Sequence, residues 1–369
     1  MKPPLRCLPA LLIALTWLTT ASAAPTDGLR LPPGFVIEEW AGDVPGARTM
    51  VLGERGTVFV GSRDEGRIYA LRDDSGDGRA DHRWIVASGL QMPNGLALRD
   101  GQLYVADVDR LLRLPDIEHW LEQPPQPMPL RVRLPADRAH GWRYIAFGPD
   151  GWLYAGVGAP CNVCERDGYA QLRRISTDGE RMEVVAQGIR NTVGFAWRPG
   201  TRELWFTENG RDWLGDDRPP DEINILYSSR AHFGFPYCHG DALADPQFGA
   251  GHDCSDYTPP ALALPAHVAP LGILFYTGQQ FPAEYRRRVF IAEHGSWNRS
   301  RKIGYRVMMA DIVDGRPSNY RPFIDGFLQA DGNVSGRPSY LLQLPDGSLL
   351  LSDDHYGRIY RIRYAAGTH

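Results

Sequence analysis

Between residues 207 and 224 the chain reads TENGRDWLGDDRPPDEIN, with six carboxylates at Glu208, Asp212, Asp216, Asp217, Asp221 and Glu222. Like charges this dense repel, so they either face water along a loop or surround something positive, and hard divalent cations select oxygen-rich loops. A second oxygen-rich stretch, DDSGDGRAD from Asp73 to Asp81, has the spacing and central glycine of a calcium loop. Trp84 stands where such a loop needs a bidentate carboxylate, which favours a plain hairpin turn. Four cysteines follow, Cys161 and Cys164 in CNVC, then Cys238 and Cys254. Glu165 replaces the histidine that a c-type haem motif requires after CNVC.

What positions these residues is a repeat. GERGTVFVGS, LRDGQLYVAD, FGPDGWLYAGVG, WRPGTRELWFTENG, FPAEYRRRVFIAEHG and LPDGSLLLSDD each join a Gly-, Pro- or Asp-rich turn to a short apolar run and a polar tip. Another short apolar run precedes each segment, and a third follows most of them. The unit is thus several antiparallel strands recurring about every 45 to 50 residues, the pattern of propeller blades. Six units predict an all-β, six-bladed β-propeller, with the strand-like Gly34–Trp40 available as the outer strand of the last blade. A β-sandwich would not repeat in this way. Asp116 to Glu122 is the one helical candidate of note, ended by QPPQPMP. In a propeller the polar tips gather at one end of the central channel, which places the acidic loop there.

Composition narrows the setting. Lys2 and Arg6, an apolar run from Leu8 to Leu18 and Ala21-Ser22-Ala23 form a secretory signal over residues 1–23, leaving 24–369 as one propeller domain, periplasmic or secreted. The run is too short to span a bilayer, and no long apolar run follows it. Cys7 precedes the run, which argues against a lipid-modified terminus. In an exported chain an even cysteine count favours disulfides over a four-cysteine zinc site, and chain order suggests Cys161 with Cys164 and Cys238 with Cys254. The net charge of -4 with scattered Lys and Arg offers no basic stripe for nucleic acid.

The string GIRNTVGFAWRPGTRELWFTENGRDWLGDDRPPDEIN, with HGWRYIAFGPDGWLYAGVGAPCNVCE before it and LPAHVAPLGILFY, AEHGSWNRS and GRPSYLLQLPDGSLLLSDD after it, resembles the sorbosone dehydrogenase branch of the soluble pyrroloquinoline quinone (PQQ) sugar dehydrogenases. The resemblance runs over nearly the whole mature chain, with several loop motifs in family order. It implies an exported propeller carrying PQQ at the mouth of its channel, calcium, a sugar substrate, and an external electron acceptor such as a cytochrome or quinone. PQQ has three carboxylates and an ortho-quinone, so guanidinium groups and a divalent cation suit it.

By the same resemblance His140 is the general base, for which an imidazole is well suited. Arg190 and Asn191 approach the quinone oxygens, where a fixed cation stabilises growing negative charge. The backbone carbonyls of Gly210 and Arg211 hold the cofactor's calcium, Asp221 and Glu222 serve calcium or the substrate pocket, and Asp216 and Asp217 only solvate the loop. Arg337 faces PQQ, Arg299 supplies a further cation and Trp297 stacks on the tricyclic ring. Three positions depart from the glucose-oxidising relatives: Arg211 replaces a proline, Ser339 a second arginine, and Pro160 a cofactor-contacting glutamine. The pocket is therefore not that of the glucose enzymes, and the resemblance implies oxidation of an aldose or a sorbosone-type sugar aldehyde. The rival classes are a calcium-dependent lactonase or other hydrolase on the same fold, and a non-catalytic propeller that binds carbohydrate or protein.

Overall fold

A computed structural model describes residues 26–365, so the expected signal segment lies outside the described residues. The chain forms six four-stranded antiparallel blades, and the repeat seen in the sequence is the blade. In the first blade the strands run Met50–Leu52, Val58–Val60, Ile68–Arg72 and His82–Ala87 from the inside outward. Gly95, Ile145, Phe195, Pro270 and Pro338 begin the inner strands of blades two to six. The sixth blade borrows its outer strand from the N-terminus, where Phe35–Ala41 pairs antiparallel with Arg358–Tyr364 in the register Phe35 to Tyr364. Phe35 seals this closure by packing edge-on against Phe281, 4.7 Å between ring centroids.

Strand composition follows position. The second strands of blades three to six, Leu153–Val157, Leu204–Glu208, Val289–Glu293 and Leu349–Asp353, are buried at every residue because a neighbouring blade covers each face. They read as apolar runs, three of which end in polar residues at the cavity end. Outer strands such as Met128–Arg133 meet water on one face, so buried and exposed residues alternate over much of their length. Near the axis the blades approach too closely for side chains. A Cβ on Gly95 would lie 2.5 Å from the Arg143 carbonyl oxygen, and one on Gly272 would lie 2.8 Å from Tyr340 Cα.

The repeat is interrupted after the third strand of blade four, Asp221–Leu226, whose outer partner Leu262–Leu264 comes only after a long excursion. Within it Ala231–His232 adds a parallel strand to the edge of blade three, and Cys238–His239 pairs with Leu243–Ala244. Disulfides join Cys161 to Cys164 and Cys238 to Cys254, as chain order suggested.

Of two local features, the first departs from its sequence signal and the second is the hairpin turn that the sequence favoured. The helix expected over Asp116 to Glu122 is only a 3-10 turn at Ile117–His119. Asp116 is left-handed and offers no side-chain cap, while the Glu118 carboxylate leaves the segment to accept the N–H groups of Arg55 and Thr57 in the first blade. The Asp73 to Asp81 stretch is the hairpin between the third and fourth strands of the first blade. Asp73 accepts from the N–H groups of Gly76 and Gly78, and Asp81 from those of Asp74 and Ser75.

Candidate active site

At one end of the axis lies a cavity of about 400 Å³, lined from five of the six blades. Two kinds of position supply it: residues just before an inner strand, among them Arg48, His140, Arg190, Asn191, Ala269 and Arg337, and residues just after a second strand, among them Arg63, Asn209, Gly210, His294 and Trp297. Both are at the same end of every blade, because inner and second strands run antiparallel. Residues far apart in sequence therefore converge.

His140 stands where the chain enters the third blade. Its backbone is left-handed, at φ 47°, a strained conformation for a non-glycine residue, and Gly158 opposite has no room for a Cβ, which would sit 2.6 Å from that of His140. The ring Nδ1 lies 2.7 Å from the Ala159 carbonyl oxygen. A carbonyl only accepts, so Nδ1 carries the proton and Nε2 keeps its lone pair. Burial, then the cations Arg190, Arg143 and Arg63, push the ring from its ordinary value to about 3. His140 is thus a neutral imidazole with one basic nitrogen.

Four arginines line the same cavity: Arg48, Arg63, Arg190 and Arg337. Burial depresses Arg63, Arg190 and Arg337 below their ordinary value, and Arg48 and Arg337 repel Arg63 further. Each is held in place. The Arg190 guanidinium donates to the Asn162 carbonyl (2.8 Å), the Asn162 side chain (3.0 Å), the Asn209 carbonyl (3.1 Å) and Asp212 (3.1 Å). Asn162 sits inside the short ring closed by Cys161 and Cys164, so that disulfide shapes the wall behind Arg190. Arg337 donates to the carbonyls of His294 and Gly295, and Arg63 lies over the Trp142 ring at 4.4 Å. Arg48 bonds Asp354 at 2.7 Å, and Asp354 takes the Nε2 proton of His294, also at 2.7 Å.

The acidic loop is neither bare nor merely solvated, because each of its carboxylates ties something down. Glu208 accepts the backbone N–H of Arg190 (2.6 Å) and Asp212 its side chain. Asp221 accepts the N–H groups of Gly210 (2.7 Å) and Ala269 (2.8 Å), bridging the blade-four and blade-five loops; burial raises it to about 7. Glu222 accepts from Gly240 and Asn224 behind the cavity wall. Asp216 and Asp217, expected only to solvate the loop, bind Ser300 and Arg299. These pairs form because the neighbouring blade brings residues 299 and 300 across the rim, a proximity that sequence spacing does not show.

Of the residues singled out from sequence, the structure gathers His140, Arg190, Asn191, Gly210, Asp221, Trp297 and Arg337 around the cavity. Arg211, Glu222 and Arg299 do not line it. The Arg211 side chain turns away into a buried pair with Asp245 (2.5 Å), and Arg299 clamps the rim. Sequence reasoning missed Arg48, Arg63, His267 and His294. Arg63 directly follows the polar tip of the first repeat, so its place in the repeat was a usable signal; Arg48 lies in a connection with no such mark.

The residues present fit PQQ. Three carboxylates would find four convergent guanidinium groups, and buried Asn191 Oδ1 has no hydrogen-bond partner among the described residues. No group of three or more His, Cys, Asp or Glu side chains among the described residues is arranged for a metal.

The chain belongs to the TrAA12-like family, whose pattern it matches over residues 170–364. An uncharacterized protein of Borreliella burgdorferi is 33% identical over 362 residues, covering 94% of each chain. Among solved structures, the chain resembles the Trichoderma reesei family AA12 carbohydrate-active enzyme in its iodide structure (TM-score 0.80, 19% identity, 94% of this chain and 100% of that one). It also resembles the holo PQQ domain of pyranose dehydrogenase from Coprinopsis cinerea (TM-score 0.75, 19% identity, 92% and 98%). A third relative in fold is the PQQ-bound aldose sugar dehydrogenase of Streptomyces coelicolor (TM-score 0.63, 19% identity, 90% and 99%). Among the described residues no helix is long and apolar enough to cross a membrane.

Proposed function

We propose that this protein is an exported PQQ- and calcium-dependent dehydrogenase that oxidises a sugar or sugar-derived aldehyde of the aldose or sorbosone type, passing electrons to an external cytochrome or quinone. The observation that carries the reading is the pairing of a neutral His140, its Nδ1 proton committed to Ala159, with four guanidinium groups around one cavity, those of Arg48 and Arg190 buried. When bound, PQQ would supply the electron-poor carbon that accepts hydride. His140 Nε2 takes the hydroxyl proton of the substrate, or of a hydrated aldehyde, as the carbon-bound hydrogen leaves. Arg190, fixed by Asn162, Asn209 and Asp212, stabilises negative charge that develops beside it. Arg48, Arg63 and Arg337 pair with carboxylates, which relieves their mutual repulsion. Calcium would be held by the carbonyls of Gly210 and Arg211, the first positioned by the Asp221 bond to its N–H, with Glu222 behind; Trp297 stands at the mouth.

The test is reconstitution of the apo-protein with PQQ and calcium, followed by dye reduction with aldoses and sugar aldehydes. PQQ affinity should rise with calcium and calcium affinity with PQQ by the same factor. A hydrolase would be active without PQQ, and a PQQ affinity indifferent to chelator would remove calcium from the site.

A further inference from the structure

Trp213 and Trp297 are 66% and 67% exposed, the largest values among the exposed large apolar side chains of the described residues. Trp297 lines the cavity and Trp213 packs against it edge to face, with centroids 5.5 Å apart and planes at 87°. Free tryptophans would collapse onto the surface, but these are braced. Trp213 is left-handed at φ 70°, a strained conformation for an aromatic residue that persists only where neighbours impose it. The neighbours are visible. Gly215 accepts from His267 Nε2 (2.8 Å), Asp216 accepts the N–H of Ser300 (3.0 Å) and Asp217 pairs with Arg299 (3.0 Å). Loops from blades four and five are thus tied together so as to hold two indoles in water.

We propose that this corner is a carbohydrate subsite that takes a second pyranose ring, so that the substrate is an oligosaccharide whose terminal unit enters the cavity. The proposal rests on the sugar-oxidising reading and extends it outward. Trp297 lines the cavity itself, so whatever lies on it is continuous with the substrate site. Two indoles at a right angle present one face and one edge to the CH-lined face of a sugar ring, and Asp212 and Asn298 beside them offer hydroxyl partners. A protein partner fits less well. Two tryptophans bury at most about 500 Å², well short of the ~1,200 Å² typical of a specific protein interface.

The test is isothermal titration of apo-protein, lacking PQQ, with cellotriose, maltotriose and xylotriose, each against its monosaccharide. At least one trisaccharide should bind about tenfold tighter than its monosaccharide. Trp213→Ala should abolish that difference without changing monosaccharide binding, and Trp213→Tyr should restore most of it. The proposal is overturned if no trisaccharide exceeds its monosaccharide, or if Trp213→Ala leaves the difference intact. Because the titration needs no cofactor, its failure is separate from that of the sugar-oxidation reading, which falls if the reconstituted protein reduces no dye with any sugar.

Discussion

Replacing His140 with asparagine separates its charge from its geometry. Asparagine tolerates the left-handed backbone at this position and its amide can still donate to the Ala159 carbonyl, but it cannot titrate. In the parent, burial and then Arg190 hold the folded imidazole at about 3 instead of 6.5. The unfolded chain therefore gains a proton as pH falls through 6.5, whereas the folded chain stays neutral until about 3. The stability that a neutral His140 permits is complete above pH 6.5 and is lost below it, at ~1.4 kcal/mol per pH unit. Between about pH 7.5 and 4.5 this amounts to about 2.6 kcal/mol for a single group. Urea unfolding of apo parent and His140→Asn at both pH values gives the difference directly, since every other titrating group is shared. The parent should lose about 2.6 kcal/mol more than the variant over that interval. In the reconstituted enzyme the same substitution should lower kcat by roughly 10²- to 10⁴-fold while PQQ still binds. Parallel pH profiles would show that His140 is not held neutral in the folded apo-protein, and near-parental turnover would remove it from the reaction.

Arg211→Ala should keep most calcium-dependent activity, because only its backbone carbonyl is assigned to calcium, yet lose about 3–5 kcal/mol of stability by leaving buried Asp245 without its cation; denaturant midpoints and specific activity per folded molecule check the two halves. Asn162→Ala removes acceptors for Arg190 and Asp212. PQQ affinity should fall by roughly 10- to 100-fold, the equivalent of about 1.5–3 kcal/mol for a charged hydrogen bond, with Asn162→Asp recovering part of it; unchanged affinity in Asn162→Ala would make Asn162 a simple loop residue.

The sequence by itself determined the architecture, because a blade is a local object. Turn chemistry, short apolar runs and polar tips recur within each unit, so blade number and N-terminal closure could be read from periodicity. Cysteine order did the same for both disulfides. It also marked His140, Arg190 and the acidic loop, since these lie in loops with motifs of their own. What they contact came only from the tertiary structure. The cavity is an intersection of blades, so the contacts of Arg48 with Asp354, Arg190 with Asn162, and Asp217 with Arg299 cross long sequence separations that no local pattern encodes. In one dimension the six carboxylates left open a solvated loop or a cation site. In three they hold backbone amides and arginines, because each finds a donor on another strand or blade. Burial set the ionisation of His140 and Asp221, and burial is a property of the closed ring of blades, not of any segment within it.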